Sequence, residues 1–365
     1  MKLTKFFAFA LAAFAFASCE PVQQEEPKPT PTGDITLTAD KTAIQLGETV
    51  TFTVTDANGQ DVTSQASIYD EDFNEVGSSV TFNESGSYSF FATVGSANSN
   101  YVTVTVMAEV PEVPADPQPD NFVFNHRAIV IDQTGVNCGY CPQATEQLKA
   151  LENTEWHQYY NEVTCHAGNY ASGDPGNSAA ANALNSFQSS MISGYPCILV
   201  NFYGKPADYG YTSVINVLKN YIKKDGVKVG ISLAVTGDTS CIYAAAQVKS
   251  GEAKEYKITA WLLESNIYSP NQAGATKDYH KIYNHALRNM AHEYSKTNVQ
   301  GDAYTFTANE VKDLAFELPI ISTKWNYENM EVLVVVSAKD ANGRWEVANS
   351  RVCKLNESAE FEYEL

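Results

Sequence analysis

Basic residues are scarce in this chain of 365. Only 24 Lys and Arg stand against 43 Asp and Glu, for a formal charge of −19 and a pI near 4.7. A phosphate-binding surface needs a basic patch, so nucleic acid is excluded as a partner, and so is docking on anionic lipid by charge alone. Beyond Phe16 there is no run of about 18 apolar residues, so nothing after the start of the chain is built to span a bilayer as a helix. A hydrolase nucleophile elbow, a phosphate loop and a dinucleotide fingerprint are all absent. The sequence therefore calls for no cofactor. Histidine is rare, with 6 in the chain, and residues 34–107 hold neither histidine nor cysteine.

What is present begins with a leader. Lys2 and Lys5 precede an apolar run, Phe6 to Phe16, that is too short to cross a bilayer. Small residues then lead to Cys19, which gives residues 1–19 the form of a lipoprotein signal, with Phe16 standing where Leu is usual. Ordinary signal cleavage beside an incidental cysteine is the competing reading. Residues 20–33 are acidic and Pro-rich, with nothing to pack, as suits a tether between a lipid on Cys19 and a domain held off a membrane. Disulfides persist in the exported compartment this implies.

Two Pro-rich breaks, the tether and residues 108–120, divide the rest. The second should be extended and semi-rigid. Between them, residues 34–107 alternate apolar and polar with period two, as in Thr49-Val-Thr-Phe-Thr-Val54, which predicts six or seven short strands in a small β-sandwich. Gly86-Ser-Tyr88 resembles the tyrosine corner of immunoglobulin-like domains. Residues 121–226 alternate strands with helices at about 142–152, 178–191 and 212–224, the pattern of an α/β sheet covered on both faces. Residues 227–365 return to strands, predicting an antiparallel β-sandwich. A long polar insertion at 266–329 interrupts it, with a helix-like stretch at Tyr279–Arg288. An insertion of that length covers or binds something.

The chemistry concentrates in Ala128-Ile-Val-Ile-Asp-Gln-Thr-Gly-Val-Asn-Cys-Gly-Tyr-Cys-Pro142. An apolar strand enters a turn, two cysteines follow at C-x-x-C spacing, and Pro142 opens a helix, where its missing N–H costs nothing. Unpaired N–H groups and the helix dipole favour a thiolate there. Cys138 is predicted to be the more exposed, attacking cysteine and Cys141 the resolving one. Strand–CxxCP–helix is the reactive corner of a thioredoxin-like fold. Asp132, six residues before Cys138, occupies the offset of a buried acid that exchanges a proton with the resolving thiol; a strand-end Asp capping the turn is the alternative. Tyr195-Pro196 sits where such folds place a cis-proline loop that holds a substrate peptide.

Thioredoxin strand order brings Cys165, His166 and Cys197 to the same end of the sheet as Cys138. They are buried spectator thiols, an accessory redox pair or resolving thiol, or a Cys/His metal site. A disulfide between Cys241 and Cys353 is compatible with an exported protein. His285 and Arg288 form an i, i+3 pair on one helical face, which would order the insertion through backbone carbonyls or meet a neighbouring acidic face.

Asp132-Gln-Thr-Gly-Val-Asn-Cys-Gly-Tyr-Cys-Pro142, Gly194-Tyr195-Pro196 and Asn284-His285-Ala-Leu-Arg288 together resemble the outer-membrane-protein-28-related lipoproteins of Bacteroides-type bacteria, over roughly residues 121–365. The preceding sandwich is similar to bacterial immunoglobulin-like modules. The resemblance implies a thioredoxin-like domain followed by a β-rich domain at the outer membrane, periplasmic or surface-exposed. The Gly139-Tyr140 pair is similar to that of periplasmic disulfide isomerases. Asn137 stands where many thioredoxin-like proteins have Trp, and Cys197 where Thr is common. The expected activity is thiol–disulfide exchange with protein or peptide thiols and disulfides. The alternative is a surface binding or adhesion lipoprotein whose CxxC disulfide is structural.

Overall fold

The computed structural model describes residues 35–84, 86–107 and 110–364. The leader, Cys19 and the tether lie outside the described residues.

Residues 35–107 form a two-layer β-sandwich. Strands Ile35–Ala39, Thr49–Asp56 and Ser79–Thr81 make one sheet, and six strands, among them Gly86–Val94 and Val102–Met107, make the other. Period-two alternation turns Val50, Phe52 and Val54 inward against Phe90 and Val104. The Tyr88 hydroxyl donates to the Glu84 carbonyl at 3.0 Å, tying the last long hairpin to its own entry turn.

The body is built on one continuous sheet. Its strands are β1 (Ala128–Thr134), β2 (Tyr160–His166), β3 (Cys197–Val200), β6 (Lys254–Glu264), β7 (Ala286–Met290), β8 (Asp302–Phe306), β10 (Met330–Lys339) and β11 (Trp345–Lys354). The order is β3-β1-β2-β7-β6-β10-β11, with β8 beside β6. Helices α1 (Cys141–Glu152) and α3 (Tyr211–Tyr221) cover one face of β1, and α2 (Ala179–Phe187) covers the other. Cys141, Ala144, Leu148 and Leu151 are buried at helical spacing along α1, and the last three pack on Val130, Ile198 and Val200. A second sheet, β9 (Glu310–Pro319), β5 (Cys241–Ser250), β4 (Val229–Gly237) and Ser358–Ala359, packs on β6, β10 and β11.

Two expectations are corrected. The boundary expected at residue 226 is crossed by the main sheet, so the α/β half and the β half share one hydrogen-bonded layer. The stretch 279–288 is not a helix: Asp278–Lys281 is a single 3₁₀ turn, and Ala286–Met290 is β7. That strand fills the gap between the halves. It runs parallel to β2 at Thr164/Ala286 and antiparallel to β6 from Trp261/Met290 to Glu264/Ala286. Open strand edges on both sides offer backbone pairing, mostly along β6, and this overrides the local helical spacing.

The linker is pinned, not loose. Lys249, fully buried, donates to Asp116 Oδ2 at 2.7 Å and to the Gln118 carbonyl at 2.9 Å, among the rings of Phe122, Phe361 and Tyr363.

Candidate functional site: a covered disulfide beside a buried acid

β1 delivers its last residues into the turn 135–140, and α1 starts at Cys141. Cys138 and Cys141 are disulfide-bonded, with Cα atoms 5.4 Å apart. The turn is clamped on two sides. On one, the Val136 N–H donates to Asp174 Oδ2 at 2.7 Å and the Asn137 N–H to the Tyr170 carbonyl at 3.0 Å. On the other lies a strap from the insertion. The Ala273 N–H donates to the Val136 carbonyl at 2.8 Å, Gln272 Nε2 donates to the Cys138 carbonyl at 3.2 Å, and Gly274 packs on Gly139. A Cβ on Gly274 would lie 2.0 Å from the Gly139 carbonyl oxygen, and the φ of +71° there also favours glycine.

The strap corrects the expectation of an exposed attacking cysteine. Cys138 is 2% exposed and Cys141 1%. The cover comes from residues more than 130 positions away in sequence. It is fixed to α1 by Lys277, which pairs with Glu146 at 2.8 Å, by His280 Nε2, 3.2 Å from the same carboxylate, and by Lys149 over the Tyr279 ring.

Beneath the strap is a cavity of about 240 Å³, lined by Cys141, Asp132, Glu162, His166, His280 and His285 among others. Asp132 is 2% exposed and its Oδ1 has no hydrogen-bond partner. It caps no turn. Burial, with the charge of Glu162 added, pushes its carboxyl up to about 8. Burial likewise raises Glu162 to about 7. His285 pairs with Glu331 at 2.5 Å; burial alone would lower it, but the bond and charge of Glu331 prevail and hold it at about 9.

Gln133, the next residue along β1, points to the opposite face, and it is flanked in register by Cys165 and Cys197. Strands are about 4.8 Å apart, so these two cysteines are separated by about twice that, beyond disulfide reach. His166 faces the other side of the sheet from Cys165, and among the described residues no three Cys, His, Asp or Glu side chains gather around an ion-sized space. The accessory pair and the shared metal site are thus corrected to separate thiols. Burial raises both, and Cys165 donates to the Ala181 carbonyl. Cys241 and Cys353 are also free thiols, in strands of different sheets.

The Tyr195–Pro196 bond is cis. The Tyr195 hydroxyl accepts from Asn185 Nδ2 at 2.5 Å, and its ring lies 5.2 Å from that of Tyr170. Arg288 is buried. It pairs with Glu264 at 2.7 Å and donates to the carbonyls of Pro175 and Asn177, so it ties β7 to the loop that clamps Val136. His285 lies just before β7 at φ +54° and pairs with Glu331, whereas Arg288 pairs with Glu264, so the two share no partner and do not act as a pair.

Sequence reasoning missed Asp174, which holds the Val136 N–H, the Gly176 N–H and His166 Nδ1 together. Burial opposes its ionisation, but the His166 bond and charge and the two N–H groups leave it below the ordinary carboxylate range. The signal was the Asp174-Pro-Gly176 turn, whose Gly176 packs directly on the His166 ring.

With this geometry the fold defines a class: a multi-sheet, β-rich chain with a disulfide at the start of a helix. The family model for outer membrane protein Omp28 matches residues 184–359. That match begins within α2, past Cys138 and Cys141, so it covers only part of the stretch where resemblance was expected. It supports an outer-membrane location for this chain. Among solved structures, HBP35 of Porphyromonas gingivalis matches at 19% identity and a TM-score of 0.52, over 66% of this chain and 78% of that one. The likeness is one of fold. The Yersinia pseudotuberculosis adhesin InvE (9% identity, 88% of this chain and 58% of that one) has a TM-score of 0.17, and a Kluyveromyces marxianus β-glucosidase (10%, 38% and 15%) one of 0.19; neither carries an argument. No curated protein matches the chain. Among the described residues no helix is long and apolar enough to cross a membrane.

Proposed function

We propose that this is an outer-membrane lipoprotein, anchored through Cys19, that carries out thiol–disulfide exchange with protein or peptide partners. Cys138 and Cys141 react on a thioredoxin-like corner, and an immunoglobulin-like spacer precedes it. The observation that carries the reading is Asp132. A carboxyl this buried, with an unpartnered oxygen, lining the same cavity as Cys141, has no structural partner to explain it.

In the oxidised state a substrate thiolate attacks Cys138 Sγ. The Cys138–Cys141 bond breaks, Cys141 leaves as a thiolate, and Asp132, protonated at neutral pH, gives it the proton. A second substrate thiol then attacks the mixed disulfide, Cys138 leaves, and the substrate departs oxidised. The reverse sequence reduces a substrate disulfide, with Asp132 taking the proton back. The Tyr195-Pro196 loop would hold the peptide. The strap must lift for either direction.

Burial of both cysteines favours a second reading, a structural disulfide in a surface binding protein. Reduction potential separates the two. A value among known oxidoreductases, with exchange abolished in Cys138→Ser, supports the enzyme; a value below about −300 mV supports the structural bond.

A further inference from the structure

A second cavity, of about 430 Å³, opens at the seam between the two halves, at the far end of β1 from the disulfide. In a chain of charge −19 its walls carry Lys223, Lys228, Lys254, Lys339 and Arg344. Three of these are neutralised locally: Lys254 by Glu252 at 3.0 Å, Lys339 by Glu255 at 3.0 Å, and Arg344 by Asp340 at 2.8 Å. Lys223 and Lys228 have no carboxylate partner among the described residues. They flank a tight turn closed by the Gly226 N–H on the Lys223 carbonyl at 3.1 Å, with Gly226 at φ +79°.

Behind the turn sits His126, 5% exposed. Its Nδ1 accepts the Lys223 N–H at 3.1 Å, which leaves the ring proton on Nε2 of the neutral imidazole, and Nε2 has no partner. Burial, helped by the Lys223 charge, keeps that ring neutral by lowering it to about 4. Glu346, on the opposite wall, is raised by burial to about 7, which reduces its negative charge near neutrality. Val229, Val347, Ala348 and the Tyr256 ring supply apolar surface. The volume falls among small-molecule sites, and junctions between halves of a fold are where such sites occur.

We infer that this cavity binds a small organic anion, a carboxylate on an apolar body, with its head between Lys223 and Lys228 and its body on the Val229–Val347 floor. His126 lines the same cavity, so a bound carboxylate would offer its unpartnered Nε2 proton an acceptor. The site is independent of the disulfide chemistry.

The test is titration calorimetry on the full chain at low ionic strength with octanoate, acetate and octylamine. Octanoate should bind saturably at one site, more tightly than either control. The doubly substituted chain, Lys223→Gln with Lys228→Gln, should bind it at least about tenfold more weakly. Both lysines are exposed, so circular dichroism and Tm should not change. Absence of saturable octanoate binding overturns the inference. So does acetate or octylamine binding as tightly as octanoate, or a double variant that binds as the parent does.

Discussion

Asp132 and Gln133 are neighbours on one strand, both buried, and they face opposite sides of the sheet. Gln133 is satisfied: its Nε2 donates to Gln188 Oε1 at 2.8 Å, its Oε1 accepts from Asn185 at 2.8 Å, and Gln188 in turn donates to the Asn201 and Phe202 carbonyls. Asp132 has an oxygen without a partner and a cavity beside it. A buried polar network with every member paired specifies a fold; a buried titratable group left partly unpaired points to chemistry. The two faces of β1 thus differ: one is fully paired, and the other carries the acid to which the proposed reaction gives the proton transfer.

The largest expected effect is on the holding face. Gln133→Leu leaves one N–H of the Asn185 amide and the Gln188 side-chain oxygen unpaired, the other Asn185 N–H keeping the Tyr195 hydroxyl, and should cost roughly 2–4 kcal/mol in urea denaturation. An unchanged midpoint would break the comparison from that side. Asp132→Asn should act in the opposite direction and depend on pH. The folded carboxyl is held up to about 8, well above the 3.8 of an ordinary Asp, so the folded state binds the extra proton between those values. The wild-type chain therefore keeps this contribution below about pH 4 and loses it as pH rises through about 8. Asp132→Asn should flatten that slope and gain on the order of 1–3 kcal/mol at pH 8.5, while slowing exchange. Parallel slopes for the two proteins would remove Asp132 from the argument. The last effect is read at the disulfide, through Gly274→Ala. Its Cβ cannot sit 2.0 Å from the Gly139 oxygen, so the strap must rise. Dithiothreitol should then reduce Cys138–Cys141 several-fold faster, as followed by alkylation and mass shift. An unchanged rate would mean that the strap is no barrier.

Much of the α/β half was legible because its signals are local. The apolar run before Cys138, Pro142 at the helix start and the spacing of Ala144, Leu148 and Leu151 each act within a few residues. The C-terminal strands were legible through period two, with Val229–Gly237 and Trp345–Lys354 close to their expected bounds. The strap and β7 were not. Ile282, Ala286 and Leu287 can satisfy helical spacing, and only the open edges of β2 and β6, far away in sequence, make Ala286–Met290 a strand. The burial of Cys138 was hidden for the same reason. So was the Gln133 network, whose members lie 52 and 55 residues apart.

The strap also gives the molecule an order of events. If the chain is exported from its N-terminus, as the proposed lipoprotein reading requires, Cys138 and Cys141 emerge before residues 266–290. During that interval the pair lies open to any oxidant in the compartment. Once β7 zips between β2 and β6 and Gly274 settles on Gly139, whatever bond has formed is sealed in. On that order of emergence, the cover would preserve the redox state the pair had reached before docking. Oxidation that precedes docking is preserved, whereas oxidation or reduction that comes later has to wait for the strap to open.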